Sequence, residues 1–394
     1  MTAPGRIPLL GHVLRMGRNP IAFLQELRGH GDVVAFYVGP RRIHVVNSPE
    51  LIRRVLVTDA HHFQRGEVFA KARMLLGDGL ATADEPVHMR QRRVMQPAFH
   101  HDRIASYRDV MRAEVEKFVS TLEHGRQVEF DQALQQLTFT VTAKALFSTA
   151  PDAVDEVRRS LGPVLNGITV RAVLPFYEHI PTQANRRFED SLRRITAAVD
   201  GVIAAYRKTG TDHGDLLSML VVAMDDDDVR TQVMNILMAG TETTATTLSW
   251  AFYELARNPD VPMEPDRVLN ETLRLHTPIW LLTRRVAEPI RLGDTELDAG
   301  AEVLVSLPTL HRDPELFPDP MRFDPSRSFD QAFLPFGAGR HKCIGDRFAW
   351  AEMTEVLTSV TARWRMEIAP GREIREVARA FLRPNALPMI PRSV

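Results

Sequence analysis

The single cysteine of this chain, Cys343, is the feature that most constrains what the chain can form. It lies in the glycine-rich segment 336–345, FGAGRHKCIG, and an amphipathic helical pattern follows it. A thiolate at the start of a helix is stabilised by free backbone N–H groups and by the helix dipole, so it is well suited to be an iron ligand. Gly337 would permit a tight turn, Gly345 would allow close approach of a flat macrocycle, and Phe336 would screen the sulfur from water.

Other roles for this cysteine can be compared with that one. A c-type haem needs a C-x-x-C-H sequence, and a zinc site or an internal disulfide needs a second cysteine, so the cysteine count excludes these sites. A small buried apolar residue is the remaining alternative for a lone cysteine. The pattern of residues around Cys343 therefore has to decide between this alternative and an iron ligand.

Composition limits the possible partners and the number of domains. Lys and Arg number 49 against 50 Asp and Glu, so the net charge of −1 provides no general basic field for nucleic acid or an anionic membrane. The longest largely apolar run, 216–224, is far shorter than the ~20 residues that a membrane span needs. We therefore expect a cytoplasmic, soluble, monomeric protein, and because no linker or repeat divides the sequence we expect one domain over residues 1–394.

Apolar spacing and Pro/Gly punctuation predict a helix-dominated α+β fold, mainly α, with a small N-terminal β region. A short helix at 21–29 precedes a hairpin of strands 33–38 and 43–46. Further strands are predicted only late in the sequence, at 290–297 and 302–306. The other predicted helices cover 50–57, 86–95, 104–122, 130–146, 153–165, 183–207 and 229–258.

A second candidate site lies inside the long predicted helix 229–258, in the sequence AGTETT at 239–244. Ala239 and Thr243 are four residues apart and share one helix face, and a Thr hydroxyl that bonds back to the i−4 carbonyl can open the helix locally. An acid, Glu242, beside the alcohol Thr243 in such a groove can relay protons to bound dioxygen. A Thr-rich core helix with a solvated Glu is the alternative interpretation.

The residues Phe336, Gly339, Cys343, Gly345 and Ala349 fit the pattern F-x-x-G-x-x-x-C-x-G-x-x-x-A. In this signature the chain closely resembles the cytochrome P450 family of haem-thiolate monooxygenases, and the segment 239–244 resembles the family's oxygen-activation motif. The resemblance implies the P450 prism fold, a haem b with Cys343 as axial ligand, and dioxygen as co-substrate. Glu242 and Thr243 would be the catalytic residues, and Ala239 would lie beside the haem.

The resemblance also implies a structural ion-pair network. Glu271 and Arg274 match the family's E-x-x-R helix motif, which on spacing alone could be an ordinary surface pair. In the family, an Arg from a later F-x-P-x-R segment joins this pair. Here that residue would be Arg327, with Arg322 as the other register, and the network would fix the loop that presents Cys343.

The two propionates of a haem need cations or hydrogen-bond donors. Four residues match the family positions: His88, Arg92, Arg285 and His341, and Arg284 could exchange places with Arg285. A solvated surface residue is the alternative for each of them taken singly.

The segments that match the family's substrate pocket are almost wholly apolar, which suits a hydrophobic molecule held by shape. A similarity to actinobacterial relatives that oxidise cyclic terpenes, in segments 8–12 and 185–188, favours a terpenoid over a fatty acid or a macrolide. The pocket residues would be Val68, Phe69, Met74, Leu75, Ile236, Ile279, Trp280, Leu281, Leu282 and Phe381.

We therefore expect a monooxygenase that inserts one atom of dioxygen into a hydrophobic small molecule. Its electrons would come from a separate ferredoxin and ferredoxin reductase, and a basic patch could attract the acidic ferredoxin. The alternative is a haem-thiolate sensor of a gas or ligand without turnover, which would leave Glu242 and Thr243 without a role. The patch residues would be Arg90, Arg93, Arg340, Lys342 and Arg347.

Overall fold

The computed structural model describes residues 1–148 and 180–394, together with positions 153, 155–157, 159, 160, 162–164 and 167. Positions 154, 158, 161 and 165 of the helix predicted at 153–165 lie outside the described residues. The contacts divide the chain into two compact units. The first comprises Met1–Ala70, Trp250–Cys343 and Ile374–Asn385, and the second comprises Lys71–Ser249, Ile344–Glu373 and Ala386–Val394.

Among the described residues, more lie in helices than in strands, as the sequence predicts. In chain order the helices are α1 Val13–Arg18, α2 Pro20–Arg28, α3 Pro49–Arg53 with a π-helical continuation Arg54–Thr58, α4 Glu67–Leu76, α5 Val87–Met95, α6 His101–Ser120, α7 Phe130–Phe147, α8 Gln183–Thr209, α9 Leu216–Ala223, α10 Asp226–Arg257, α11 Pro265–Leu275, α12 Leu307–His311 and α13 Asp346–Thr361.

The strands are short. They are β1 Val33–Val38, β2 Arg41–Val46, β3 Phe63–Arg65, β4 Val128–Glu129, β5 Leu281–Val286, β6 Ile290–Leu292, β7 Thr295–Leu297, β8 Glu302–Ser306, β9 Trp364–Ile368, β10 Glu376–Ala378, β11 Leu382–Pro384 and β12 Pro388–Ser393.

A five-stranded sheet of order β1-β2-β8-β5-β3 organises the first unit. The valine-rich strands β1 and β2 form the predicted hairpin, in which Val38 pairs with Arg41 across a turn at Gly39, whose φ is +61°. Strand β8 forms a parallel pair with β2 and an antiparallel pair with β5. Strand β5 also pairs with β3. The sheet therefore holds β5, which carries two arginines, in a fixed register.

Local sequence explains where several helices begin and end. The Asn19 side chain accepts a hydrogen bond from the N–H of Ala22 and caps α2, which starts with Pro20. In the second unit, the Thr182 side chain caps α8, and Gly210 ends it in the left-handed conformation. The second unit packs its helices with a three-stranded sheet of order β4-β12-β9.

Several strand predictions are wrong in detail. The strand predicted at 290–297 is a hairpin of two three-residue strands, β6 and β7, that turns at Gly293. The sequence analysis also missed seven strands. Two of them, β5 and β12, obtain their partners from remote parts of the chain. The strands it missed are β3, β4, β5, β9, β10, β11 and β12. The mainly α class with a small β region is confirmed.

Candidate functional site

The loop that carries Cys343 lies in the first unit and is closed by its own backbone. The N–H of Cys343 donates to the carbonyl of Phe336 at 3.0 Å, and the N–H of Gly337 donates to the carbonyl of Leu334 at 3.0 Å. A short 3₁₀ turn, Gly339–His341, lies between them. The side chain of Cys343 is exposed, so the loop presents the sulfur rather than burying it. This geometry disfavours the interpretation of Cys343 as a buried apolar residue.

Two glycines of this loop have the left-handed backbone that glycine adopts most readily. The φ of Gly337 is +69° and that of Gly339 is +67°. At Gly339 a Cβ would lie 2.0 Å from the carbonyl oxygen of Leu56, whereas at Gly337 it would meet no atom within 4 Å. Gly339 is therefore required by close packing as well as by backbone conformation.

The predicted ion-pair network is present in the first unit. Both Nε and Nη2 of Arg274 donate to the carboxylate of Glu271, at 2.8 and 2.7 Å, and Arg327 donates to the same carboxylate at 3.1 Å. The side chains of Glu271 and Arg274 are completely buried. Arg322 contributes only its backbone carbonyl, which accepts a hydrogen bond from Arg274. Arg327 is therefore the third member of the network, as the sequence favoured. Removal of one partner from such a buried network is strongly destabilising.

His311 lies between this network and the loop that carries Cys343, and the sequence analysis did not identify this residue. Its carbonyl accepts a hydrogen bond from Nη1 of Arg274 at 2.9 Å. Its Nε2 accepts a hydrogen bond from the N–H of Leu334 at 2.9 Å. The hydroxyl of Thr277 donates to the carbonyl of Leu273, so the ring Nδ1 must donate to Thr277, at 2.8 Å. Burial, followed by the charge of Arg274, lowers the pKa of His311 to about 3. The ring is therefore neutral and fixes the start of the segment that leads to Cys343.

Strand β5 places its two arginines on opposite faces. Arg284 is buried, whereas Arg285 is exposed and donates to the side chain of Gln64 at 3.1 Å. Burial, followed by the charge of Arg340, lowers the pKa of Arg284 to about 10. Among the described residues, the side chain of Arg284 has one hydrogen bond, to the carbonyl of Thr283 at 2.9 Å.

A buried guanidinium beside a second cation is costly unless an anion pairs with it. A carboxylate of a bound cofactor would meet this need, so the donor chemistry of Arg284 and the exposed thiol of Cys343 both fit a haem. The structure thus favours Arg284 over Arg285 as the propionate partner. His341, the other predicted partner in this unit, is half-buried in the 3₁₀ turn.

The predicted oxygen-activation segment lies in the second unit, on α10. The hydroxyl of Thr243 donates to the carbonyl of Ala239 at 2.6 Å, as the sequence predicts. Ala239 is exposed and Thr243 is half-buried, while most neighbouring side chains of this helix are buried. The two residues therefore form a stripe that a small molecule can reach. The helix is continuous here, so the predicted local opening is not observed.

Glu242 is held by a neighbouring helix of the same unit. Its side chain is buried, and the amide of Gln135 on α7 donates to its Oε1 at 2.6 Å. A further bond, from the Thr138 hydroxyl to the carbonyl of Thr241 at 3.1 Å, joins α7 to α10. The alternative of a solvated Glu is therefore wrong for this side chain, and Gln135 is a contact that sequence spacing could not reveal.

The remaining predicted cofactor contacts of the second unit lie on α5 and at the start of α13. His88 is buried, with its Nδ1 3.1 Å from Oε1 of Glu85, and Arg92 is half-buried. Gly345 is the N-cap residue of α13, where a Cβ would lie 3.6 Å from the ring of Phe99.

The predicted pocket residues have varied environments. Val68 is 58% exposed, Ile236 is buried on α10, and Trp280 donates its indole N–H to the carbonyl of Arg379 at 2.7 Å. The side chains of Met74 and Leu75 are outside the described part of the structure. A separate apolar cavity within the second unit is lined by other residues, among them Phe139 and Leu237. The remaining predicted pocket residues, which are half-buried, are Phe69, Ile279, Leu281, Leu282 and Phe381.

Comparison with known proteins decides the family. The family model described as Cytochrome P450 matches residues 1–264 and 266–391. This chain is a member of the cytochrome P450 family. It is therefore a haem-thiolate protein with haem b as its cofactor, and an oxidoreductase of the monooxygenase class.

Three relatives from Streptomyces are similar over almost the whole length of this P450. Cyclooctatin synthase of Streptomyces melanosporofaciens is 40% identical, with 99% of this chain and 95% of that protein covered. Cyclooctat-9-en-7-ol 5-monooxygenase of the same organism is 39% identical, with 99% and 94% covered. Pentalenene oxygenase of Streptomyces avermitilis is 33% identical, with 96% and 94% covered.

A solved structure shows the same fold. The crystal structure of the cytochrome P450DA heme domain superposes on this P450 with a TM-score of 0.88 at 23% identity, and it covers all of this chain and 97% of its own. Among the helices that the structure describes, none is long and apolar enough to span a bilayer.

Proposed function

We propose that this P450 hydroxylates a terpenoid and takes its electrons from a separate ferredoxin. The observation that carries the substrate class is the 33–40% identity to Streptomyces P450 relatives of terpenoid metabolism. The apolar composition of the predicted pocket residues is consistent with such a substrate, because shape and packing can select a molecule that has few polar groups.

The bound haem supplies the iron centre at which dioxygen is activated. Cys343 would bind the iron through its thiolate. Arg284, His341, His88 and Arg92 would donate to the haem carboxylates. Their chemistry supports the assignment, since Arg and His make charge-assisted hydrogen bonds to carboxylates.

Glu242 and Thr243 would deliver protons. The Thr243 hydroxyl gives its own hydrogen to the Ala239 carbonyl, so its oxygen lone pairs point elsewhere and can accept a hydrogen bond. The amide of Gln135 donates to Oε1 of Glu242 and so fixes the carboxyl that would exchange protons. An orienting alcohol beside a buried acid fits oxygen-dependent monooxygenation and would have no role in a sensor.

Substitution of Thr243 tests this mechanism. In Thr243→Ala the haem and substrate binding should be retained, but reducing equivalents should be diverted from hydroxylated product to hydrogen peroxide. Thr241→Ala is the matched control, because the Thr241 hydroxyl makes the same i−4 bond, to the carbonyl of Leu237 at 2.7 Å, on a buried face. Unchanged product per electron in Thr243→Ala would contradict the assignment, and a parent protein without substrate-dependent turnover would support the sensor alternative.

The substrate class is tested by ligand titration, and the role of Cys343 is tested by the CO spectrum. Cyclic terpenoids should shift the iron to high spin in optical titrations, whereas a response to charged metabolites alone would contradict the proposal. Cys343→Ser should lose the thiolate-type absorption of the reduced CO complex, because a neutral alcohol donates less electron density than a thiolate. Retention of that absorption in the variant would refute the ligand assignment.

Exposed basic residues support a ferredoxin as the electron donor. Exposed basic side chains suit an acidic protein partner, and those of the predicted patch that are exposed are Arg90, Arg93, Lys342 and Arg347. Reduction of the haem by a ferredoxin should slow as the salt concentration rises, and substitution of these residues by Gln should remove that salt dependence.

A further inference from the structure

The loop 7–11 of the first unit is a rigid turn. The N–H of Ile7 donates to the carbonyl of Gly11 at 2.9 Å, and the N–H of Gly11 donates back to Ile7 at 2.8 Å. The N–H of Gly39 on the β1–β2 turn donates to the carbonyl of Leu10 at 3.1 Å. Gly11 has φ +64°, and a Cβ there would lie 2.4 Å from the carbonyl oxygen of Tyr37. The turn is therefore fixed against the hairpin.

This rigid turn and the helix after it present apolar side chains to solvent. Leu9 is 92% exposed, Leu14 61% and Leu10 46%. The exposed set, called the apolar ridge below, consists of Ile7, Leu9, Leu10, Val13 and Leu14.

The conformation of Leu9 costs the fold free energy that its side chain does not offset. Its φ of +64° is unfavourable for a bulky residue, and its side chain gains almost no packing in return. Folding alone therefore gives no reason for a leucine at this position. A strained and exposed leucine indicates a surface that contacts something else.

Positive charge is in excess in the segment that contains the apolar ridge. Residues 1–25 contain Arg6, Arg15 and Arg18 and no Asp or Glu, although the chain as a whole has a net charge of −1. Arg15 pairs with Glu26, whereas Arg6 lies over the ring of Tyr37, 3.7 Å from its centroid, and Arg18 is exposed. Arg42, on the adjoining hairpin, is also exposed.

We propose that the apolar ridge docks on the surface of a lipid bilayer that contains anionic phospholipids. Aliphatic side chains on a rigid support enter the boundary between headgroups and acyl chains, and the flanking arginines pair with lipid phosphates. A second copy of this chain is a poor occupant, because a two-fold contact between two ridges would bring the same positive charges together.

Vesicle co-sedimentation of the full-length, haem-loaded protein tests the proposal. The parent should bind phosphatidylcholine vesicles that contain phosphatidylglycerol, and salt should weaken the binding. Leu9→Asn should weaken it about tenfold or more through loss of apolar burial. The thermal stability of this variant should stay equal or rise, because Asn tolerates a positive φ better than Leu does. This combination distinguishes docking from a structural role.

Two further variants complete the experiment. Val222→Ser is the matched control, since Val222 is 87% exposed in the second unit, and its vesicle binding should equal that of the parent. Replacement of Arg18 and Arg42 together by Gln should weaken binding to anionic vesicles and reduce its salt dependence. A parent that does not bind vesicles, an equal loss in Val222→Ser, or a dimer in solution that Leu9→Asn dissociates would each overturn the proposal.

Discussion

Substitution of Gly339 by Ala should disrupt the loop that presents Cys343. The positive φ at this position costs a residue with a Cβ about 1–2 kcal/mol. The added Cβ would also lie 2.0 Å from the carbonyl oxygen of Leu56, a backbone atom that cannot rotate away. Forced displacement of a packed backbone costs about 1–3 kcal/mol more. We therefore expect the free energy of unfolding to fall by about 2–5 kcal/mol.

Gly337 provides the matched control. Its φ of +69° is almost the same as that of Gly339, but a Cβ there would meet no atom within 4 Å. Gly337→Ala should therefore lose only the conformational part, about 1–2 kcal/mol. The assay is urea unfolding of both variants followed by circular dichroism, with the CO spectrum of the reduced haem as a measure of thiolate ligation. Equal destabilisation of the two variants would refute the argument that packing against Leu56 requires glycine.

Three further predictions concern the interior. Arg274→Met should destabilise the first unit by about 3–5 kcal/mol in urea unfolding, because it leaves the buried Glu271 carboxylate without its bidentate partner; a loss below 1 kcal/mol would contradict the role of the network. The pKa of His311 is lowered from 6.5 to about 3 in the folded state, so the unfolded chain alone takes up this proton below pH 6.5. Stability should therefore fall by about 2 kcal/mol between pH 7 and pH 5, and His311→Gln should show a shallower pH dependence in the same unfolding assay. Gln135→Leu removes the amide that holds Glu242, so product per electron should fall while the CO spectrum stays unchanged, and equal coupling in variant and parent would contradict this positioning role.

Local sequence determined the features that depend on near neighbours. The β1–β2 hairpin, the helix predicted at 229–258 and observed as Asp226–Arg257, and the glycine turns before Cys343 all follow from spacing and turn residues. The E-x-x-R pair was also visible, because its members lie on one turn of one helix. Such contacts form between residues that the chain already holds close together.

Tertiary structure decided which side chains face inward and what they meet. The pairing of β5 with β8 and β3 buries Arg284 and exposes Arg285, and a shift of one residue in that register would exchange them. His311 meets the N–H of Leu334, and Gln135 meets Glu242, only because separate segments pack together. The sequence by itself specified the residue types and their spacing, but it could not specify these partners, because burial and register are properties of the whole packed chain.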